Sequence, residues 1–543
     1  MPDFNIIDFR ERTDKCRASN LWSDRLLTEF LDRWAQEHPE KLAIVDSRGR
    51  MTYGELQAQS LQCAAALLKL GLNAGDVMTL QLPNWREWTV LHLAATRIGV
   101  ITNPVVTIFR ERELSEMLQI SETKLLVAPS TYRGFDHSDL ALRLKAKLST
   151  ISDVLIIGEK ATSDAISWDE FLAIGVENPC SASSFVDYKP GADEVTELVF
   201  TSGTTGSAKG VLHTHNTLGA PVSAICQTLE LRSDDVFHMS STFGHQTGFL
   251  GGVRLPIQLG ATAVYQDIWD ASKFFDLVEQ YRISMTSGAP TFLRDIVDYP
   301  RKPGCDVSSL RIFRCGGAPI PRALVRQAQE KFPGMNVHST WGQSENGFVT
   351  LTRPRDRVDK IVETDGCAQR GMEVRVVDGN GDKVPAGTEG HLQCRGAFLF
   401  VGYAKQPELT RASYRGDWFS TGDLATMDND GFIRITGRDR DLIIRGGENI
   451  PVAYVENALY EDPRISDVAL VGMPNERLGE IACAFLCVKG SKNYSIKNMQ
   501  EHLALAGISK QYWPERLVIL NEMPRTPNGK IKKIDLKKLL PVN

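Results

Sequence analysis

Two hydrophobic periods alternate along the first 200 residues of the chain, and that alternation narrows the choice of fold more than any other feature. Leu61, Ala64, Ala65 and Leu68 stand at i, i+3, i+4 and i+7, one face of a helix, and Gly71 closes that pattern. The apolar run 77–82 reads as a strand, and Asn84 can cap a helix that continues to Gly99. A further helix is expected over 111–120, with strands at 125–127 and 154–157. Helical and extended segments in this rhythm bury their apolar faces only as sheets covered by helices, an α/β architecture. No repeat of 20–50 residues interrupts it.

The pattern changes after about residue 370. Val374 and Val376 alternate with charged residues, Asp378-Gly379-Asn380-Gly381-Asp382 makes a turn, and short strands resume near 391–394. This predicts a small β-rich, barrel-like subdomain. From Thr436 onward the polar stretch Gly437-Arg438-Asp439-Arg440-Asp441 lies between β segments, as an exposed interdomain linker would. The last hundred residues suffice for a small α+β domain. The expected division is an N-terminal domain over 1–438 and a C-terminal domain over 439–543, with a hinge at Asp439–Arg440.

Composition excludes several functions. With 62 Lys+Arg against 67 Asp+Glu, the net charge of -5 lacks the basic surplus of a nucleic-acid binder or a binder of anionic membranes. No run of 18 uncharged apolar residues exists, and the longest clean one, 481–488, is strand-sized. Asp8, Arg10, Glu11 and Arg12 leave no room for a secretory apolar region. Ten scattered cysteines without a C-x-x-C pair argue against a disulfide scaffold or a zinc ribbon. A large, reduced, cytoplasmic enzyme is expected.

The richest motif is Thr201-Ser202-Gly203-Thr204-Thr205-Gly206-Ser207-Ala208-Lys209-Gly210. Its glycines let backbone approach a ligand, its hydroxyls and N–H groups are donors for phosphate oxygens, and Lys209 adds a point charge. A P-loop needs G-x-x-x-x-G-K-[ST] leading into a helix. Here apolar residues 198–200 precede the loop and Val211-Leu212-His213 follows with strand character, so the expectation is a strand–loop–strand phosphate clamp. The competing reading is a flexible Ser/Gly linker, but linkers seldom place a single lysine after such a string between two apolar strands.

Further stations follow in order: Cys315-Gly316-Gly317-Ala318-Pro319, Trp341-Gly342-Gln343-Ser344-Glu345, Ser420-Thr421-Gly422-Asp423, then Thr436-Gly437-Arg438-Asp439-Arg440-Asp441. After these come Arg445-Gly446-Gly447-Glu448-Asn449-Ile450 and Pro524-Arg525-Thr526-Pro527-Asn528-Gly529-Lys530-Ile531. Together with the loop these segments resemble the adenylate-forming superfamily across essentially the whole chain. The likeness is strongest to acyl-CoA synthetases of short- and medium-chain fatty acids and of cyclohexanecarboxylate. The resemblance implies activation of a carboxylic acid by ATP to an acyl-adenylate, with loss of pyrophosphate. Displacement of AMP by the thiol of CoA then follows.

Roles carry over from the resemblance position by position. Thr201, Ser202, Gly203, Thr204, Thr205 and Lys209 would hold the β- and γ-phosphates. Glu345 would ligate Mg²⁺, which needs only one or two carboxylates beside phosphate oxygens and waters. Ser344 stands where the family has a hydroxyl bonded to the α-phosphate. Trp341, in place of a more frequent Tyr, would stack on adenine, lined by Gly316, Gly317, Ala318 and Gly342. Asp423 and Arg438 would contact the ribose. Lys530 would reach from the C-terminal domain to the carboxylate and the α-phosphate. The domain would then rotate and present Gly446 and Gly447 to the pantetheine arm of CoA, with Asn449 or Arg445 at its nucleotide.

The acid pocket is expected around His245, Gln246, Gly248 and Gly288-Ala289. Amino-acid-activating relatives carry an aspartate at the position of Gln246, so a neutral residue argues against a substrate ammonium group. His245 matches a position that gates carboxylate entry. A short- to medium-chain or cyclic acid is expected, with an aryl acid as the alternative. No Gly-x-Asp-Ser-Leu carrier signal occurs. Free CoA is therefore the expected acceptor, a separate carrier protein the second, and self-association as a homodimer stays open.

Overall fold

A computed structural model describes the chain except for residues 1–3, 5–8, 159–163, 177–180, 203–207, 440–442, 446–447, 451, 476–477, 491–493, 509, 527–528 and 542–543. Among the described residues two large sheets carry the N-terminal body. The nine-stranded sheet has a parallel centre in which Asn336–Trp341, Ile312–Gly316, Met285–Gly288, Val236–Met239, Thr262–Tyr265 and Leu42–Asp46 lie side by side. The eight-stranded sheet runs from Gly402–Tyr403 through Ala208–Thr214 and Val195–Ser202 to Ile101–Pro104, Val77–Leu80, Leu125–Pro129 and Asp153–Ile157. The helices Tyr53–Lys69 and Arg86–Arg97 pack between them, where one apolar core runs from Leu56 and Leu91 to Phe243, Phe249 and Ile312.

Local chemistry explains why these elements form. The helix Tyr53–Lys69 opens on a capping box in which Glu55 N–H donates to Thr52 Oγ1 (3.2 Å) and Thr52 N–H to Glu55 Oε2 (2.7 Å). It stops before Gly71, whose φ of 82° is the left-handed turn that glycine adopts freely. Asn84 does not cap the next helix. Trp85 stands at that position without a side-chain capping bond, while Asn84 Nδ2 donates to Ser241 O (3.0 Å) and its Oδ1 accepts from Phe243 N–H (3.1 Å). The chain leaves its strand at Met239, and the backbone groups of Ser241 and Phe243, which have no strand partner there, are satisfied by those bonds.

A five-stranded antiparallel sheet (Met372–Val377, Gly390–Gly396, Trp418–Met427, Tyr414–Arg415 and Ile433–Arg438) forms the β-rich subdomain. Thr436–Arg438, expected in the linker, belongs to its last strand, with Arg438 opposite Asp423. The polar residues there follow from strand pairing beside a site rather than from solvent exposure. The C-terminal unit is a second five-stranded sheet built on the long pair Ile465–Asn475 and Gly479–Val488. It is covered on one face by Val452–Tyr460 and Ile496–Leu505, and Leu536 of the short helix Lys533–Lys537 packs on the other. No helix among the described residues is long and apolar enough to cross a membrane.

Six histidines (His92, His137, His213, His215, His238 and His338) are buried, and burial holds each well below its usual pKa, to about 4 for most. The unfolded chain takes up these protons near pH 6.5, which the native chain refuses until about pH 4. Stability from this source is complete above about pH 6.5 and is lost as pH falls toward 4. The melting temperature measured by calorimetry should therefore drop steeply between about pH 6.5 and pH 4.5. A flat profile across that window would contradict the burial of these rings.

Candidate active site

Val195–Ser202 and Ala208–Thr214 form an antiparallel hairpin with Thr201 opposite Lys209, the strand–loop–strand form expected of the clamp. Its connection, with Gly203, Thr204 and Thr205, lies outside the described residues, as does the Ser202 side chain. Lys209 Nζ sits 5.6 Å above the ring of Tyr403. The Tyr403 hydroxyl donates to Glu345 Oε1 (2.9 Å). Tyr403 was not singled out in the sequence. It reaches Glu345 because Gly402–Tyr403 pairs on the outer side of the hairpin strand.

Burial pushes the Glu345 carboxyl up, and its own backbone amide, the Tyr403 hydroxyl and the charges of Arg438 and Lys209 oppose that rise. Among the described residues Glu345 Oε2 receives no hydrogen bond. One carboxylate oxygen open between two cations suits a magnesium ligand whose other partners are phosphate oxygens and waters. No group of three His, Cys, Asp or Glu side chains forms a protein-only metal cage among the described residues. Ser344 is anchored through its carbonyl, which accepts from His213 Nε2 (2.7 Å).

Asp423 is 2% exposed and holds three donors. Trp341 Nε1 (2.9 Å) and Gln343 Nε2 (3.0 Å) reach Oδ2, and Arg438 Nε lies 2.8 Å from Oδ1. The Trp341 ring is itself buried, against Val349 and Ala220. Close packing requires the neighbouring glycines: a Cβ on Gly342 would stand 1.7 Å from Gly347 O, and one on Gly316 2.5 Å from Thr340 Cγ2. Gly317 has φ 82° and faces Thr247.

Thr247 belongs to the segment that starts at His245. Burial and the nearby positive charge of Lys530 push the His245 imidazole down to about 4, so the ring is neutral at pH 7. His245 Nε2 is buried and has no hydrogen-bond partner among the described residues. Lys530 arrives on a turn tied by Thr526 N–H to Lys530 O (2.6 Å) and Lys530 N–H to Thr526 Oγ1 (3.0 Å). That turn rests on the N-terminal body, where a Cβ on Gly529 would stand 2.8 Å from Thr291 Oγ1. Arg326 and Glu461 add an ion pair across the same boundary, at 2.5 Å.

Gln246 has one end of its amide bonded, while Oε1 has no hydrogen-bond partner among the described residues. Its Nε2 donates to Glu197 Oε2 (2.5 Å), and both side chains are buried. Burial lifts the Glu197 carboxyl to about 8. Glu197 sits on the strand before the clamp, and only the packing of two distant segments reveals the pair. Gly288 ends its strand against Phe292. Asp439, at the expected hinge, accepts from His391 Nδ1 (3.0 Å), while Arg440 lies outside the described residues. So do Gly446, Gly447 and the Asn449 side chain. Arg445, considered for CoA, is paired with Glu515 (2.6 Å).

The family model for AMP-binding enzymes matches residues 31–404, and the one for the C-terminal domain of those enzymes matches 454–530. The chain therefore belongs to the AMP-binding enzyme family. It is 35% identical over 532 residues to a medium-chain fatty-acid–CoA ligase of Escherichia coli K12, covering 97% of this chain and 93% of that one. It is 30% identical over 512 residues to a 3-[(3aS,4S,7aS)-7a-methyl-1,5-dioxo-octahydro-1H-inden-4-yl]propanoyl:CoA ligase of Rhodococcus jostii (93% and 96% covered). Among solved structures, ATP-bound MatB from Rhodopseudomonas palustris superposes with a TM-score of 0.82 at 25% identity, covering 94% of this chain and 98% of that one.

Because Trp341 Nε1 helps to hold Asp423, Trp341→Phe keeps a ring but removes one of the two side-chain donors to Asp423 Oδ2. A hydrogen bond to a charged group contributes about 1.5–3 kcal/mol. The variant should raise KM for ATP by roughly tenfold, with a smaller change in kcat. Steady-state pyrophosphate release checks this, and an unchanged KM would show that Asp423 is held without the indole.

Proposed function

We propose that this site activates a medium-chain or cyclic carboxylic acid and passes it to CoA. The protein is an ATP-dependent, AMP-forming acid–thiol ligase of the acyl-CoA synthetase kind. The observation that carries the reading is the position of Lys530. A cation from the C-terminal unit lies near enough to His245 for its charge to oppose a proton on the ring, in the same molecule in which Trp341, Asp423 and Arg438 are joined and the charges of Arg438 and Lys209 act on Glu345.

The chemistry follows from charge. An acid anion must approach a polyanionic nucleotide, and the barrier falls where cations are already fixed around the developing charge. Lys209 and the 201–205 hydroxyls grip the β- and γ-phosphates, and Asp423 with Arg438 fixes the ribose. Gly316, Gly317 and Ala318 leave room for the base beside Trp341. His245, neutral, orients the entering carboxylate, and Lys530 stabilises negative charge as the oxygen joins the α-phosphorus. Magnesium, held by Glu345, would screen the phosphate charge when bound.

The functional units are 1–438 for adenylation and 439–543 for a lid pivoting at Asp439–Arg440, in keeping with the two matched segments. Free CoA is the acceptor, a carrier protein the second reading, and the cytoplasm the compartment. The relatives named above act on a medium-chain fatty acid and on a fused-ring propanoate, which favours an acid with an extended apolar body.

Incubation with ATP, Mg²⁺, CoA and a panel of linear, cyclic and aromatic acids should yield AMP and a CoA thioester. Release of ADP, or response to amino acids alone, would overturn the reading. Lys530→Ala should lower acid-dependent pyrophosphate release by roughly 10²–10³-fold and spare thioester formation from supplied acyl-adenylate. Full adenylation by that variant would remove Lys530 from the mechanism.

A further inference from the structure

Arg314 lies on Ile312–Gly316, the strand that leads into the Gly316-Gly317 turn, two residues before that turn. Its neighbours Phe313 and Cys315 face the helices outside the sheet, whereas Ile312 faces the core between the sheets, and Arg314 shares the side of Ile312. The side chain is 1% exposed. Nε donates to Ser287 Oγ (3.1 Å), and the guanidinium carbon sits 3.5 Å over the ring of Phe348. Nη1 and Nη2 have no hydrogen-bond partner among the described residues. Burial alone lowers its pKa, to about 9, with no carboxylate to oppose the shift.

The surroundings are shaped around this group. Gly251, in the π-helical turn Phe249–Arg254, lies so close that a Cβ there would stand 3.0 Å from Arg314 Nη2. π-Helical turns occur often at functional sites. That turn continues directly from His245 and Thr247, the segment at the acid's entrance. A cation with four unpaired N–H donors is a poor choice for stability, since a leucine or methionine would fill the same volume without the cost of desolvation. One hydroxyl and one ring face do not replace the water these donors give up.

We propose that Arg314 is a specificity-determining residue, which receives an oxygen acceptor carried at the far end of the acid. Two residues of strand span about 6.6 Å. That rise separates the Arg314 backbone from Gly316, so the acceptor belongs at the end of the acid remote from the carboxylate that His245 orients. The planar fork of donors matches a second carboxylate best and accepts a keto oxygen as well. This deepens the ligase reading and rests on it. It replaces a purely hydrocarbon tail with one that is apolar along its length and polar at its tip.

The test uses the full chain with ATP, Mg²⁺ and CoA, and measures kcat/KM of pyrophosphate release for three series. These are linear acids from hexanoate to decanoate, the matching α,ω-dicarboxylates and the matching acids with a keto group next to the terminal carbon. The wild type should favour an oxygen-tipped acid over its plain counterpart by roughly tenfold to a hundredfold. Arg314→Met should reverse that ranking and leave KM for ATP unchanged. The dicarboxylate and keto arms separate charge recognition from simple hydrogen bonding. Equal or better use of the plain acids by the wild type overturns the proposal, whatever the variant does, and so does an unaltered ranking in a folded Arg314→Met. Failure of every acid, cyclohexanecarboxylate and benzoate included, overturns the ligase reading instead, and the proposal falls with it.

Discussion

The buried carboxylate of Asp423 is the joint on which the site depends. Three stretches of chain distant in sequence meet there: Trp341 and Gln343 at and just past the end of a strand of the nine-stranded sheet, Asp423 in the β-rich subdomain, and Arg438 at the end of the last strand before the C-terminal unit. A carboxylate out of water is costly unless its lone pairs are filled, and here at least three donors fill them. The arrangement holds the strand that leads to the C-terminal unit, as well as the carboxylate proposed for the ribose. Disturbing it would displace Trp341, Gln343 and the strand that ends at Arg438 together.

A second feature follows from the first. Three cations belong to the proposed site: Lys209 on its hairpin, Arg438 beside Asp423, and Lys530 on the docked turn. Glu345 sits among them with its carboxyl pushed up by burial and steadied by Tyr403. Electrostatic preorganisation of this kind is assembled during folding, so little reorganisation is left for the reaction itself. The neutral state of His245 belongs to the same balance, since burial and the Lys530 charge both oppose a proton on the ring.

Much of this was legible in the residues. The helix capped by Thr52 and closed before Gly71, the hairpin around the clamp and the long apolar strand within Gly479–Val488 all follow local patterns. The motif residues Lys209, Glu345, Asp423 and Lys530 could be singled out because each sits in a short run of characteristic order. Where the reading departed from the structure, a long-range contact was the reason. Asn84 looked like a helix cap but bonds the backbone of Ser241 and Phe243. Thr436–Arg438 looked like linker and is paired strand. Tyr403 and Arg314 carried no local signal, since a tyrosine after a glycine and an arginine in an apolar strand are common in any chain.

The sequence alone determined the layered α/β plan and the order of the motifs, because periodicity and short-range spacing are properties of neighbours along the chain, and the resemblance those motifs carry implied the chemistry. The tertiary structure alone decided which side chains share a charge: Trp341 with Asp423, Gln246 with Glu197, Lys530 with His245, and Arg314 with the ring of Phe348. Those pairings bridge from about 30 to nearly 300 positions of chain. They depend on how sheets and domains pack, and on the energy of burying charge where water cannot follow.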